Sequence, residues 1–353
     1  MPTSTEPASA RPPFKNILIV RQHDQLGDML CAVPLMRALR QSSPDAHIAL
    51  VTSPVNHQIM LNHPYLDEVI EYDKRKFFSA GEGVLNLFGR LRSRPYDLAV
   101  VPSTVSVSST SDLIARLSGA TVRCGVRSLD GVRNSTAWCF NVTVELGWGS
   151  APHLHQAARN LAVLSPLSIS TDDFTHRIGL TQEELERARH ALGQLRADHR
   201  FVIGFHPGAG KPPNRWSAGR FADLANRAAK KYDAGIVVTQ GPMDDEPAGE
   251  MLSRLTVPFH LVKNQPIRDV AAIIDALDCY VTNDTGVMHL AGATSPHVLA
   301  LFGPTDPLQW APVGGKNRYI LGRGGEINSI TVEEIEEGLD AIISECRRNL
   351  KLA

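Results

Sequence analysis

Short apolar runs alternate with helix-length segments along nearly the whole chain, and this alternation limits the fold more than any other feature of the sequence. Such runs are typical of buried strands in parallel sheets that are covered by helices on both faces. A first series of predicted strands covers residues 16–20, 47–51, 68–72 and 97–101, with a helix predicted over 30–41. A second series covers residues 201–205, 235–239, 259–262, 279–282 and 297–301. The 353 residues are therefore predicted to form an α/β protein with two similar domains in tandem.

The domain boundary is predicted near residues 166–173, a stretch with linker composition that precedes a charged helical segment over 182–197. We expect domains over 14–170 and 171–353, after a disordered tail over 1–13 that is rich in Pro, Ser, Thr and Ala. The last segment, 331–350, begins with a Thr-Val-Glu-Glu cap and repeats apolar residues at helical spacing. It is predicted to be an amphipathic helix, and packing across both domains is one interpretation of its apolar face.

The composition argues against several kinds of partner and cofactor. The chain has 36 basic and 37 acidic residues, so nucleic acid is not an expected partner. Its five cysteines are scattered without a Cys-x-x-Cys pair, and His153 and His155 lack neighbouring ligands, so neither a disulfide framework nor a metal site is predicted. No apolar run reaches the ~18 residues that a membrane span needs. We expect a cytoplasmic protein.

Polar segments follow several of the predicted strands. In open parallel sheets, ligands bind at the carboxyl ends of the strands, and two such domains would face each other across a central cleft. The segments that would meet there are Arg21–Asp28, His206–Trp216, Gln240–Glu246, Asp284–His289 and Gly303–Asp306.

The run Asp284-Thr285-Gly286 directly follows an apolar strand and opens a predicted helix. The free N–H groups at the start of a helix, and the positive end of its dipole, favour a bound phosphate. Neither this run nor the later Gly-Pro-Thr-Asp-Pro run carries a Gly-x-Gly-x-x-Gly or Gly-Lys-Ser/Thr signature. The sequence therefore predicts a phosphate site of a different kind from the dinucleotide and P-loop sites.

Four motifs together resemble glycosyltransferase family 9, the heptosyltransferase family of lipopolysaccharide core synthesis, which has the two-domain GT-B fold. They are Leu26-Gly27-Asp28-Met29-Leu30 with Pro34, His206-Pro207-Gly208-Ala209 with Arg215-Trp216, Asn283-Asp284-Thr285-Gly286 with His289, and Phe302-Gly303-Pro304-Thr305-Asp306. The match runs in order from about Asn16 to the final helix. The expected architecture is thus GT-B, with two Rossmann-like domains whose parallel sheets face a central cleft.

The resemblance implies an inverting transfer of a sugar, commonly heptose from ADP-heptose, to a hydroxyl of a growing glycolipid, with no metal or other cofactor. It makes Asp28 the general base and places the donor on the second domain and the acceptor on the first. The donor-binding candidates are His206, Gly208, Arg215, Asp245, Glu246, Asp284, Thr285, Gly286, His289 and Thr305. The acceptor-binding candidates are Arg21, Asp24 and Arg127.

The chemistry of sugar transfer independently asks for these residue types. A sugar hydroxyl is a poor nucleophile, and a carboxylate that takes its proton accelerates the reaction by ~100 to 10,000-fold. A departing nucleoside diphosphate is stabilised by helix-start N–H groups and a cation, for which we select Arg215.

Several positions depart from the family pattern. Gln22 stands where members usually have a basic residue, and the loop before Asp28 is one residue longer, so Asp24 is a rival for the base. Asn214 stands where many members have a lysine, although Lys211 is nearby. The spacing also does not choose between Asp245 and Glu246 as the acidic residue near the donor.

Structural interpretations compete with these functional ones. Asp28 is suited to be an N-cap, Thr285-Gly286 to be a tight turn, and His289 to be a core histidine, while Trp216 is interpreted as a core residue. The basic residues at 74–76, 90, 92 and 94 have two interpretations. They suit contact with an anionic glycolipid or with the inner face of a membrane, to which the protein would bind peripherally. Alternatively, they form a solvated face. The functional alternatives are a non-hydrolysing sugar-nucleotide epimerase of the same fold and a non-catalytic sugar-nucleotide-binding protein.

Overall fold

The computed structural model describes residues 12–22, 24–73 and 81–352, with side chains except those of 81–86 and 349–352. The chain forms two compact units, the first ending at Phe174 and the second beginning at Thr175. The sequence placed this boundary after residue 170. Most of the predicted disordered tail lies outside the described residues.

The first unit is an α/β unit built on one mixed sheet. Its strands are β1 (Asn16–Arg21), β2 (His47–Thr52), β3 (Glu68–Glu71), β4 (Leu98–Val100), β5 (Val122–Leu129), β6 (Val132–Arg133) and β7 (Val142–Leu146). Its α-helices are α1 (Leu26–Leu30), α2 (Val33–Ser42), α3 (Pro54–Met60), α4 (Gly81–Arg92), α5 (Ser109–Leu117) and α6 (Gln156–Leu161). Within the described part of this unit the strand order is β3-β2-β1-β4-β5-β6, and β7 also pairs with β5. Apart from the antiparallel β5–β6 pair, the strands are parallel.

The four strands predicted in this unit are present, but the sequence prediction needs two corrections. The helix predicted over 30–41 is wrong in its start, because α1 ends at Leu30 and α2 begins at Val33. Pro34 occupies the first turn of α2, where its missing N–H costs no helical hydrogen bond. Strands β5, β6 and β7 were not predicted, since polar residues interrupt their apolar pattern.

The second unit has the same order of strands along its sheet, but this sheet is fully parallel. Its strands are β8 (Phe201–His206), β9 (Ala234–Gln240), β10 (Phe259–Lys263), β11 (Cys279–Asn283), β12 (His297–Phe302) and β13 (Asn317–Leu321). Its α-helices are α7 (Gln182–Ala191), α8 (Gly193–Asp198), α9 (Ala218–Tyr232), α10 (Asp245–Arg254), α11 (Ile267–Asp275), α12 (Gly286–Gly292), α13 (Pro307–Trp310) and α14 (Val332–Leu352). The order β10-β9-β8-β11-β12-β13 is that of a Rossmann sheet.

All five strands predicted in the second unit are present, but β13 and the break between α7 and α8 were missed. The edge strand β13 has only partly buried or exposed side chains, so it lacks the apolar run of a central strand. The single helix predicted over 182–197 is wrong, because Leu192 separates two shorter helices.

The final helix, α14, completes the core of the second unit. Its capping box is confirmed, because Glu334 N–H donates to the Thr331 hydroxyl and Thr331 N–H donates to the Glu334 carboxylate. Ile335, Leu339 and Ile342 are fully buried in a cluster with residues of the central strands. The amphipathic helix is therefore confirmed, and packing across both domains stays a prediction.

The strand order reverses between β1 and β4 in the first unit and between β8 and β11 in the second. Ligands of open α/β sheets bind outside the carboxyl ends of the strands at such a reversal. The segments after β1, β8 and β11 are among those that the sequence selected. None of the described helices combines the length and apolar character of a membrane span.

Candidate functional site

In the second unit, Asn283 joins the two loops at the strand-order reversal. This last residue of β11 is fully buried. Its amide nitrogen donates to the carbonyls of Pro207 (2.9 Å) and Gly208 (3.2 Å), and its amide oxygen accepts the N–H of Trp216 (3.1 Å). The loop after β8 is therefore fixed against the end of β11. Sequence reasoning placed Asn283 in a motif but gave it no role of its own.

Asn214 joins this loop to two donor-binding candidates. Its amide nitrogen donates to the Asp284 carboxylate (2.9 Å) and to the Thr305 hydroxyl (3.2 Å). The side chain projects from a 3-10 turn, Pro212–Asn214, and is 7% exposed. A neutral amide thus bridges two loops of the second unit. The sequence analysis noted Asn214 only because it departs from the pattern of the family that the chain resembles.

Gly303 explains why the third loop comes so close. A Cβ atom at this position would lie 2.8 Å from the Pro213 carbonyl oxygen, closer than such atoms approach. Any larger residue would push the Gly303–Asp306 loop away from the turn that carries Asn214. The glycine therefore allows Thr305 to reach the bridging amide.

Asp284 and Thr285 lie at the start of α12, as predicted. Asp284 is half-buried, and desolvation raises the pKa of its carboxyl group, against the lowering effects of the Thr305 hydrogen bond and the Lys211 charge. Thr285 is the N-cap residue by position, but its backbone is extended and its side chain makes no capping bond. The first N–H groups of a helix have no partner inside it, so they can donate to an anion. Gly286 is the first helical residue.

His206, the last residue of β8, lies in a buried polar cluster. Its Nδ1 is 3.1 Å from the Thr239 carbonyl and its Nε2 is 3.6 Å from the Asp244 carboxylate. Burial lowers the pKa of His206, while Asp244 opposes this shift. A Cβ atom on Gly208 would lie 2.1 Å from the Asp244 carboxylate, so only glycine fits there.

The acidic residue of this cluster is Asp244, which the sequence analysis overlooked. Of the two residues that it considered, Asp245 accepts a hydrogen bond from Gln240 (2.5 Å) and forms an ion pair with Lys263 (3.3 Å), and its side chain is exposed. Glu246 is also exposed, with its carboxylate 3.6 Å from the Arg215 guanidinium. Asp244 differs from both in its burial, at 8% exposed, and in its contacts, since it accepts the Gly241 N–H (2.8 Å). The sequence does not reveal burial at a helix start.

Arg215 is held in place by the loop backbone. Its Nε donates to the Ala209 carbonyl (2.7 Å), and its side chain stays partly exposed. The next residue, Trp216, is 1% exposed and donates to the Ile330 carbonyl (2.9 Å), which confirms its interpretation as a core residue. His289 is also buried, with its ring centroid 5.5 Å from that of His176 and 6.1 Å from that of Trp310. This places His289 in an aromatic cluster.

In the first unit, Arg21 and Asp28 form a buried pair. Arg21 is 1% exposed and Asp28 is 7% exposed. The Arg21 guanidinium donates to the Asp28 backbone carbonyl (3.1 Å) and lies 3.6 Å from the Asp28 carboxylate. Burial lowers the pKa of Arg21, and the Asp28 charge opposes this shift. The N-cap interpretation of Asp28 is wrong, because Gln25 holds that position and Asp28 lies inside α1.

The other acceptor-side candidates differ in their surroundings. Asp24 is exposed and makes no hydrogen bond or ion pair with another described residue. Arg127 is exposed and donates to the Thr143 hydroxyl (3.1 Å). Of the basic residues considered for membrane contact, Arg90 donates to Glu68 (2.7 Å) and Arg92 to the Leu117 carbonyl (3.2 Å). Residues 74–76 lie outside the described part of the chain.

Comparison with known proteins identifies relatives over most of the chain. The family model for glycosyltransferase family 9 (heptosyltransferase) matches residues 84–338. Lipopolysaccharide heptosyltransferase 3 of Escherichia coli K12 is 26% identical over 81% of this chain and 82% of its own. The GT-B fold is shared with solved structures: a family 9 glycosyltransferase from Veillonella parvula (TM-score 0.81, 20% identity, 94% of this chain and 98% of that one) and ADP-heptose lps heptosyltransferase II of E. coli (TM-score 0.77, 23% identity, 94% and 99%).

Proposed function

This chain belongs to glycosyltransferase family 9, the heptosyltransferase family, and we propose that it transfers heptose from ADP-heptose to a hydroxyl group of a lipopolysaccharide-core-like glycolipid, inverting the anomeric centre without a metal ion. Heptosyl transfer in lipopolysaccharide synthesis is the activity of the family; the donor, the acceptor and the stereochemistry belong to the proposal. The observation that carries it is the joining of three loops around Asp284 by Asn283 and Asn214.

The second unit is proposed to bind the donor. The N–H groups at the start of α12 would donate to the diphosphate, and Arg215 and Lys211 would offset its negative charge. Thr285 has a hydroxyl that is not used for capping, and Asp284 has a carboxylate oriented by Asn214. Both groups suit the hydroxyls of a sugar.

The first unit is proposed to activate the acceptor. Asp28 would take the proton of the acceptor hydroxyl. At the same time the hydroxyl oxygen would form a bond to the anomeric carbon, and the bond from that carbon to the diphosphate would break. The proton then resides on the Asp28 carboxyl group and the electron pair leaves with the nucleoside diphosphate. Support comes from the position of Asp28 after β1, next to the strand-order reversal, and from the buried Arg21 that holds it. Asp24 is the alternative base.

The direct test is an incubation of the purified chain with ADP-heptose and a heptose-deficient lipopolysaccharide. The proposal expects the mass of the acceptor to increase by one heptose, the new linkage to have the inverted configuration by NMR, and a chelator to leave the rate unchanged. If the mass does not increase with this donor and acceptor but sugar is transferred from another nucleotide sugar, the proposed substrates are wrong.

The same assay addresses the two rival functions. An epimerase would convert the nucleotide sugar with no acceptor present, and a non-catalytic binding protein would bind the donor and release it unchanged. The proposed enzyme requires both substrates for product formation. For location, we propose action at the inner face of the membrane, which predicts that part of the protein sediments with membranes and is released by salt.

A further inference from the structure

A tyrosine inside the second sheet is connected to two loops of the proposed donor site by a chain of buried polar groups. We call these loops, 206–209 after β8 and 241–246 after β9, the donor loops. Tyr280, the second residue of β11, is fully buried, and its hydroxyl lies 2.5 Å from the hydroxyl of Thr239 on β9. Because the strand order places β8 between β9 and β11, the tyrosine ring crosses a whole strand to make this contact.

A glycine in the central strand makes this crossing possible. Gly204 of β8 is the register partner of Tyr280. A Cβ atom on Gly204 would lie 2.5 Å from the Tyr280 ring, closer than such atoms approach. Glycine inside a strand usually weakens it, and often marks a place where another group comes close to the backbone. Gly204 therefore provides the space through which the tyrosine ring reaches β9.

The Thr239 hydroxyl uses all of its hydrogen-bonding capacity. A hydroxyl has one proton to donate and two lone pairs that accept. Besides Tyr280, the Thr239 oxygen lies 3.0 Å from His206 Nδ1 and 3.5 Å from the Phe205 carbonyl. Since a carbonyl only accepts, Thr239 donates to Phe205, and His206 Nδ1–H, which is also 3.1 Å from the Thr239 carbonyl, is a donor. The hydroxyl then accepts from Tyr280 and His206, which fixes the orientation of the imidazole ring.

The other side of the His206 ring faces the turn that precedes α10. Its Nε2 lies 3.6 Å from the Asp244 carboxylate. This carboxylate accepts the Gly241 N–H (2.8 Å), and the Asp244 N–H donates to the Gly241 carbonyl (3.1 Å), so the turn over 241–244 is closed by two hydrogen bonds. The same carboxylate lies so close to Gly208 that no Cβ atom fits between them. The chain of contacts therefore ends on both donor loops and fixes their separation.

We propose that the Tyr280 hydroxyl is a positioning group that keeps the two donor loops in place relative to each other. It holds Thr239, which in turn orients the His206 ring against the Asp244 turn. This proposal rests on the proposed function, because it takes these loops to bind the nucleotide part of the donor. Tyr280 lies three residues, ~10 Å along the strand, before the carboxyl end of β11 at Asn283. Its role is therefore to orient other groups and not to touch the donor.

The competing interpretation is that the two hydroxyls only satisfy each other in the core. Replacing both partners of a buried hydrogen bond by apolar groups of the same shape is nearly neutral for stability. Phenylalanine at 280 and valine at 239 would therefore serve a purely structural role equally well. Positioning is favoured because the chain of contacts leads to loops at the strand-order reversal, where ligands of such sheets bind.

The first test separates positioning from stability without any transfer reaction. The double variant Tyr280→Phe with Thr239→Val removes both hydroxyls, and His206 keeps the carbonyl at position 239 as its partner. We expect a Tm close to that of the wild type, and a calorimetric Kd for ADP that rises by about three- to tenfold, the equivalent of one hydrogen bond. A wild-type Kd for ADP in this variant would overturn the proposal.

Tyr232→Phe is the matched control. This tyrosine is also buried in the second unit, and its hydroxyl donates to Asp340 (3.0 Å) on α14, away from the donor loops. The variant should lower Tm and leave the Kd for ADP unchanged. If Tyr232→Phe raises the Kd for ADP as much as the double variant does, the effect on binding is not specific to the Tyr280 chain and the proposal is wrong.

The second test asks whether the hydroxyl itself carries the effect. Thr239→Ser keeps the hydroxyl and should bind ADP like the wild type, whereas Thr239→Val should bind it more weakly. Equal Kd values for these two variants would overturn the proposal. In the transferase assay, Tyr280→Phe should raise the donor KM and leave the acceptor KM unchanged, because the chain of contacts ends on the donor loops; a rise in the acceptor KM alone would contradict it.

The binding measurement also separates this inference from the proposed function. A wild-type chain that binds ADP but transfers no heptose would refute the proposed function, and the Kd values of the variants would still decide the role of Tyr280. A wild-type chain that does not bind ADP would refute both.

Discussion

Replacing Asn214 by alanine tests whether the three loops of the second unit form one donor site. The substitution removes the amide that donates to Asp284 and to Thr305. A hydrogen bond to a charged acceptor contributes ~1.5–3 kcal/mol and a neutral one ~0.5–1.5 kcal/mol. Water can replace part of the bond to Asp284, which is only half-buried, so the expected loss is about 2 kcal/mol.

Two measurements follow from this magnitude. For a domain of this size, 1 kcal/mol changes Tm by ~2–4 °C, so the Tm of the second unit should fall by about 4–8 °C. The donor Kd should rise by about tenfold, because a loss of ~1.4 kcal/mol in oriented contacts corresponds to that factor. Calorimetric titration with ADP-heptose gives the Kd, and differential scanning calorimetry gives the Tm.

Asn226→Ala is the matched control for this variant. Asn226 also makes two side-chain hydrogen bonds in the second unit, to the Arg254 carbonyl (3.1 Å) and from the Thr256 N–H (2.8 Å), but it lies away from the three loops. It should lower Tm and leave the donor Kd unchanged. If Asn214→Ala lowers Tm without changing donor binding, the bridge only stabilises the fold and the reasoning about the donor site is refuted.

Three further predictions concern the base, the half-buried carboxylate and the loop glycines. Asp28→Asn should reduce kcat by ~100 to 10,000-fold with little change in donor Kd, whereas the same loss in Asp24→Asn alone would reassign the base. The pKa of Asp284 is raised in the folded state, so ionisation of its carboxyl group lowers the free energy of unfolding at pH values above that pKa. Below the usual pKa of ~3.9 there is no such cost. Asp284→Asn should therefore raise Tm at neutral pH but not in acid, and it should weaken donor binding. A Tm at neutral pH that is equal to or lower than that of the unmodified chain would contradict this. Gly208→Ala should cost ~1–3 kcal/mol in unfolding free energy, since its Cβ would overlap a carboxylate, and Gly210→Ala, with open space around it, should cost much less in the same denaturation experiment.

Much of the fold could be predicted because it depends on local patterns. Apolar runs located all nine predicted strands, and the Thr331–Glu334 capping box located the start of α14. Strands β5, β7 and β13 were not predicted, since edge and bulged strands do not need a continuous apolar run. The helix breaks at residues 31–32 and 192 were not predicted, because no Pro or Gly occupies these positions.

The candidate site divides in the same way. The sequence alone determined the family, the tandem α/β units and the segments at the strand ends, because each follows from residue order and short-range spacing. Only the tertiary structure decided that Asn214 bridges Asp284 and Thr305, which lie 70 and 91 positions away, and that Asp244 is the buried acid beside His206. Contacts of this kind depend on how closely separate loops approach, and that approach is set by packing around Gly303 and Gly208 rather than by any local pattern.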